Sequence, residues 1–208
     1  MIVIPIVLGI LLGRLGALLG AGLAILATVW LLLWLPRTAH AAFEAGHWKR
    51  ARRWYRVLQA IAGSATRERS ALLSRIGCHV AANQLDQADQ LLGVFDAGTL
   101  DTAERAVWLN NRACALVTKD PQAALVLVDE ATALRPDVPA LQHTRGMALL
   151  AVGRIDDAIA ILDGMRAGGE LSPRLEAERC RELAIAWAKK GETAYAEDYR
   201  MRAEAPIR

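Results

Sequence analysis

Residues 101–136 read DTAERAVWLNNRACALVTKDPQAALVLVDEATALRP, and this stretch contains two helices back to back. Asp101 is placed to cap the first, with Glu104 three residues on completing a capping box, and Trp108, Ala115 and Leu116 recur at helical spacing on one face. Asp120-Pro121 restarts the chain, because Asp is a good N-cap and Pro is pre-set for the first helical position. Ala124, Leu127, Val128, Ala131 and Leu134 form a second apolar stripe, which Pro136 stops.

Working outward from Ala124, a small residue early in a second helix, similar frames occur around Ala51, Ala88, Ala158 and Ala196, at spacings of 37, 36, 34 and 38 residues. The first frame has Gly46 at its turn, followed by Trp48, Ala51, Tyr55 and Leu58. In the second, Asn83 stands where a turn glycine belongs; Asn tolerates the left-handed conformation. In the fourth, Gly146 permits a close helix approach and Gly153 makes the turn before Ile155, Ala158 and Leu162. Ser172-Pro173 caps a fifth first helix that carries Leu183 and Trp187 to a turn at Gly191. Thr193 stands where Trp48, Leu85 and Ile155 stand in other units, so looser packing is expected there, and the charged last helix suits the polar end of a stack.

Trp leading a first helix, small residues at two places in the second and Pro just after it resemble the tetratricopeptide repeat (TPR). The resemblance covers about residues 38–204 and is strongest in the third and fourth units. It implies an α-solenoid of about five TPR-like helical hairpins, and with the apolar block that precedes it the expected fold is all-α, an N-terminal transmembrane helix followed by that solenoid. A helical-hairpin array of another type gives a similar pattern. The resemblance further implies that first helices line a concave groove for extended or helical peptides. By analogy the groove residues are Leu109, Asn110, Ala113 and Leu116, then His143, Met147 and Leu150, then Arg181 and Ile185. Family members that clamp a terminal carboxylate use Lys, Asn and Arg; here only Asn110 matches, with Leu73, Gly77, Ala140 and Thr144 at the other places. An apolar peptide or partner helix is the expected ligand. The alternative is that these residues pack between repeats.

Residues 1–36 form an apolar block interrupted by charge only at Arg14. At 1.5 Å per residue, Leu15–Leu35 spans roughly 30 Å, enough for one crossing, whereas Ile2–Gly13 reaches only roughly 18 Å. The expectation is one span over about 15–35, preceded by an interfacial or re-entrant segment with Arg14 reaching headgroups; a tight two-helix hairpin is the alternative. Trp30 and Trp34 suit the membrane interface. The block ends so near the first repeat that the span either runs, kinked at Pro36, straight into it or meets it at a flexible joint near Arg37. The resulting division is 1–36 anchor, 37–204 solenoid and 205–208 tail. Gly9 and Gly13, then Gly16 and Gly20, have the four-residue spacing of helix dimers, which raises homo-oligomerisation through the anchor.

The net charge of +3 conceals an asymmetry: residues 37–69 sum to +6 and residues 70–208 to −4. Arg37, Lys49, Arg50, Arg52, Arg53 and Arg56 form a basic cluster just after the apolar block, which by the positive-inside rule puts the solenoid in the cytoplasm of a single-pass inner-membrane protein. Its aromatic neighbours Trp48, Trp54 and Tyr55 would also suit nucleic acid, but the position beside the span favours anionic lipid. A cleaved export signal is disfavoured, since the block has no basic start and too long a core, although Ala39-His40-Ala41 has the cleavage pattern. The excess of Arg over Lys, 21 to 4, suggests a GC-rich bacterial genome.

Cys78, Cys114 and Cys180 are odd in number and widely spaced, which points to buried thiols rather than disulfides or a zinc site. No phosphate loop, nucleophile elbow or zinc helix motif is present, and Asp156-Asp157 falls at a helix start, where the dipole favours Asp. The expectation is therefore no catalytic residues, no metal and no cofactor. What remains is an adaptor or scaffold that binds partner proteins in the assembly or regulation of a membrane-associated complex; alternatives are an exported interaction domain and the regulatory subunit of an enzyme.

Overall fold

The computed structural model describes residues 3–204, with side chains at Ile6, Gly13 and from Leu15 onward. The expected tail at 205–208 and the headgroup contact of Arg14 lie outside what is described. The elements are α1 (Val3–Val29), a π-helical turn (Trp30–Trp34), α2 (Leu35–Glu44), α3 (Trp48–Ala60), α4 (Ala65–Ala81), α5 (Leu85–Leu92), α6 (Thr102–Leu116), α7 (Pro121–Leu134), α8 (Pro139–Ala151), α9 (Ile155–Gly164), α10 (Pro173–Lys190) and α11 (Thr193–Glu204). Short 3-10 turns follow α5 and α9, and no strand occurs among the described residues. From α2 onward the helices pair into five antiparallel hairpins forming a TPR-like α-solenoid. Each second helix packs on its own first helix and on the first helix of the next hairpin, while α4, α6, α8 and α10 touch in series.

Four of the hairpin turns use a left-handed residue at the position expected from sequence. Gly46 (φ 73°), Asn83 (φ 54°), Gly153 (φ 82°) and Gly191 (φ 86°) reverse the chain within a few residues, and a β-carbon is strained at each. The third hairpin turns differently: the Asp120 carboxylate accepts from the Ala123 N–H at 3.0 Å with Pro121 next to it, so a new N-terminus does the work of a glycine. Asp101 and Glu104 form the full capping box on α6. Ser172 accepts from the Leu175 N–H at 3.3 Å to start α10.

The core is built as a series of clusters along the stack. Ala124, Val128, Ala148, Ala158, Leu162, Leu183 and Ala186 are fully buried where hairpins three to five meet, and Leu73, Ile76, Ala88 and Leu92 fill the second. A β-carbon on Gly146 would lie 2.6 Å from the Leu162 side chain, so glycine sets how closely α8 and α9 pack. Arg179, 1% exposed, is the largest fully buried side chain. Its charge is met by both Glu176 oxygens at 2.8 Å and by the Leu162 carbonyl at 3.2 Å, which ties α10 to α9. Thr193 is exposed, as the weak place in the last frame anticipates, and Tyr195 stacks on Trp187 instead, with ring centroids 4.9 Å apart.

The apolar block divides at Gly13, whose φ of 64° and ψ of −148° break the helix. Gly9 and Gly13 therefore do not lie on one continuous helical face; Gly16 and Gly20 do. From Leu15 the helix runs unbroken for 30 residues to Glu44, through the π turn and α2. Pro36 cannot donate to the preceding turn, and the helix accommodates it by widening: the Leu35 N–H reaches back to the Trp30 carbonyl, and Arg37 Nη1 donates to the Leu33 carbonyl at 2.7 Å. The division expected after residue 36 thus falls inside a helix. Leu35 and Ala39, both 0% exposed, already belong to the packed part.

Candidate functional site: the inner face of the solenoid

The curl of the stack brings its two ends together. On α10, Arg174 approaches the Glu44 carboxylate at the end of α2 at 3.4 Å, lies 4.7 Å over the Phe43 ring and bonds Glu178 at 2.6 Å. These contacts link residues 130 apart. Inside the closed curve lies a polar cluster. His143 on α8 sits near Glu178, Arg174 and Arg181, and burial holds its imidazole below the ordinary value, hence neutral. Cys114 on α6 meets the Thr144 hydroxyl at 3.3 Å, and burial pushes its thiol up, so it stays protonated at neutral pH. Glu44 Oε2, Asn110 Oδ1 and His143 Nε2 are buried without a hydrogen-bond partner. Such orphaned groups are costly unless a ligand or water meets them.

The residues assigned to the groove separate on the structure. Leu109, Ala113 and Leu150 are 2%, 0% and 4% exposed and belong to the core between hairpins, which leaves them no surface to offer a ligand. Helical spacing finds an apolar face but does not say which of two adjacent faces meets a neighbouring helix. Leu116 and Met147 are half-buried against the same core. Asn110 and His143 contribute unpaired atoms to the interior, and Arg181 and Ile185 are exposed. Arg174, Glu178 and Glu44 escape sequence reasoning, since nothing local signals a contact between first and last hairpins.

The basic cluster also separates. Arg37, Lys49, Arg50, Arg53 and Arg56 are exposed, whereas Arg52 is half-buried and donates to Gln84 Oε1 at 2.7 Å, beside His79. Because α3 runs antiparallel to α2, Lys49 and Arg50 lie at the end of the hairpin remote from the apolar helix. Arg56 returns towards it. Among the described residues no group of three or more His, Cys, Asp or Glu is placed to hold a metal. All three cysteines are free; Cys78 and Cys180 are fully buried, and burial raises the Cys78 thiol to about 11.

The fold and its inner face define an α-solenoid of TPR-like hairpins. Among solved structures, a Podosopora anserina kinesin light chain with nearly identical TPR-like repeats superposes with a TM-score of 0.51 at 20% identity, covering 84% of this chain and 93% of that one. MamA gives a TM-score of 0.47 at 21% identity, covering 79% of this chain and 91% of that one. At these identities the likeness is one of fold. No family profile matches the chain, and no curated protein matches it significantly.

Proposed function

We propose that this chain is a membrane-anchored adaptor whose TPR-like solenoid holds a protein partner at the cytoplasmic face. The observation that carries the reading is the unbroken 30-residue helix from Leu15 to Glu44, which is long and apolar enough to cross a membrane and ends as the first helix of the stack. Leu18, Leu23, Leu26, Leu32 and Trp34 are each more than half exposed on it, a surface that water does not favour and hydrocarbon does. The charge asymmetry supports the cytoplasmic side. The partner is an extended peptide or helix that covers half-buried Met147 and exposed Ile185.

The test has two parts. The full chain should remain in membranes after alkaline carbonate extraction, and Thr118→Cys, an exposed position, should resist an impermeant maleimide in intact cells. The native thiols, two of them buried, Cys114 half-buried and all three raised, provide a quiet background. Ready labelling would place the solenoid on the far side. Capture of the partner from solubilised membranes should fail with Met147→Glu and Ile185→Glu; undiminished capture refutes the groove assignment.

A further inference from the structure

A cleft of about 700 Å³ opens where the apolar helix enters the stack, within the range of roughly 300–1,000 Å³ common for small-ligand sites. One wall is Leu31, Leu32 and Leu33 of the π turn; the other is Leu58 of α3 and Ile61 just beyond its end. Its rim is polar, formed at the start of α4 by Arg67 with the hydroxyls of Thr66 and Ser70. Arg67 pairs with no carboxylate among the described residues. Ile61 remains 44% exposed at the α3–α4 turn, and Leu32 and Leu33 are 52% and 50% exposed.

We infer that this cleft seats one anionic phospholipid, with an acyl chain between Leu31–Leu33 and Leu58–Ile61 and the headgroup phosphate at Arg67. The inference rests on the membrane-anchor reading above. If the helix enters the hydrocarbon at Leu15, Leu31–Leu33 lies roughly 24–27 Å along it, at the far edge of a hydrocarbon core roughly 30 Å thick. The apolar walls then face hydrocarbon and the basic rim stands at headgroup depth, the arrangement that one amphipathic anion satisfies and a soluble protein does not. Charge complementarity selects an anionic lipid over a zwitterionic one. The cleft lies against the π turn that accommodates Pro36, which itself lines it.

The full-length chain, delipidated in detergent and reconstituted in nanodiscs of phosphatidylcholine with or without phosphatidylglycerol, should retain one phosphatidylglycerol when released into native mass spectrometry. Arg67→Glu should lower retention roughly fivefold or more, with Arg67→Lys largely restoring it. Leu58→Trp, which fills the cleft, should abolish retention while the helical spectrum and melt remain those of a folded chain. Equal retention of both lipids, or retention indifferent to Arg67→Glu and Leu58→Trp, overturns the inference while the anchor stands. Disulfide-linked pairs of chains through Ile61→Cys would show a second copy in the cleft and overturn it likewise. Release of the wild-type chain by carbonate overturns the anchor reading and this inference with it.

Discussion

Arg174 and Glu44, 130 residues apart, meet at 3.4 Å and join the last hairpin to the helix that leads out of the apolar block. Both side chains are mostly buried, at 17% and 24% exposure, and the same guanidinium covers the Phe43 ring. Solenoids ordinarily touch only neighbour to neighbour, and this contact gives the stack a second, non-sequential tie.

Loss of that tie should be felt as shape before stability. Arg174→Ala should broaden the distance distribution between spin labels at Ala45 and Pro173, both exposed, in double electron–electron resonance of the full chain. A double-mutant cycle with Glu44→Ala should give a coupling of about 0.5–1 kcal/mol. An unchanged distribution would show that neighbour contacts alone set the curl.

Gly146 is held by steric room. Gly146→Ala should destabilise the chain by about 1–3 kcal/mol in urea titration, because its β-carbon meets the fully buried Leu162 at 2.6 Å. Combining it with Leu162→Ala should cost less than the two singles summed. Strict additivity would contradict the contact.

Glu104, 6% exposed, accepts from Arg69 Nε with both oxygens at 3.0 Å and from the Asp101 N–H at 3.1 Å. Glu104→Ala should cost about 2–3 kcal/mol, since it removes half of a capping box and the partner of a part-buried cation. Asp101→Ala should cost about 1 kcal/mol by the same melts. Equal costs would mean that the Arg69 pair contributes nothing.

His79 and His143 both titrate below the usual value of 6.5, each chiefly through burial. Arg52, Arg75 and Arg56 also lower His79 while Gln84 opposes them; Arg174 and Arg181 lower His143 while Glu178 opposes them. The unfolded chain therefore binds these protons first. Stability should fall as pH drops below about 6.5 and level off once the depressed folded values are passed. Replacing both with Gln should flatten urea midpoints between pH 7 and 5. A persistent slope would assign it to other groups.

The hairpins were legible because their signals are local. Asp101 with Glu104, Ser172-Pro173, Gly153 and Asn83 each specify a cap or a turn within four residues, and Gly146 marks a close approach by lacking a side chain. The inner face was less so. Leu109, Ala113 and Leu150 share the apolar stripe with residues nearer the groove, and only the packing of the next hairpin decides which are covered. Arg174 and Glu44 left no trace, because their meeting depends on curvature summed over five hairpins. The passage at Pro36 was readable as two alternatives, and the widened turn beside it resolves them towards continuity.

A π turn holds one residue more than an α-turn in the same stretch of helix, so the Trp30–Trp34 segment is an offset in angular phase between the apolar helix and the solenoid. Since the helix does not break, each residue inserted there would rotate the solenoid by about 100° and lift it about 1.5 Å, and seven would return it to within about 20°. The bearing of the inner face around the axis of the apolar helix is thus written in the length of the junction. A partner fixed relative to that helix would meet it or miss it with a helical period.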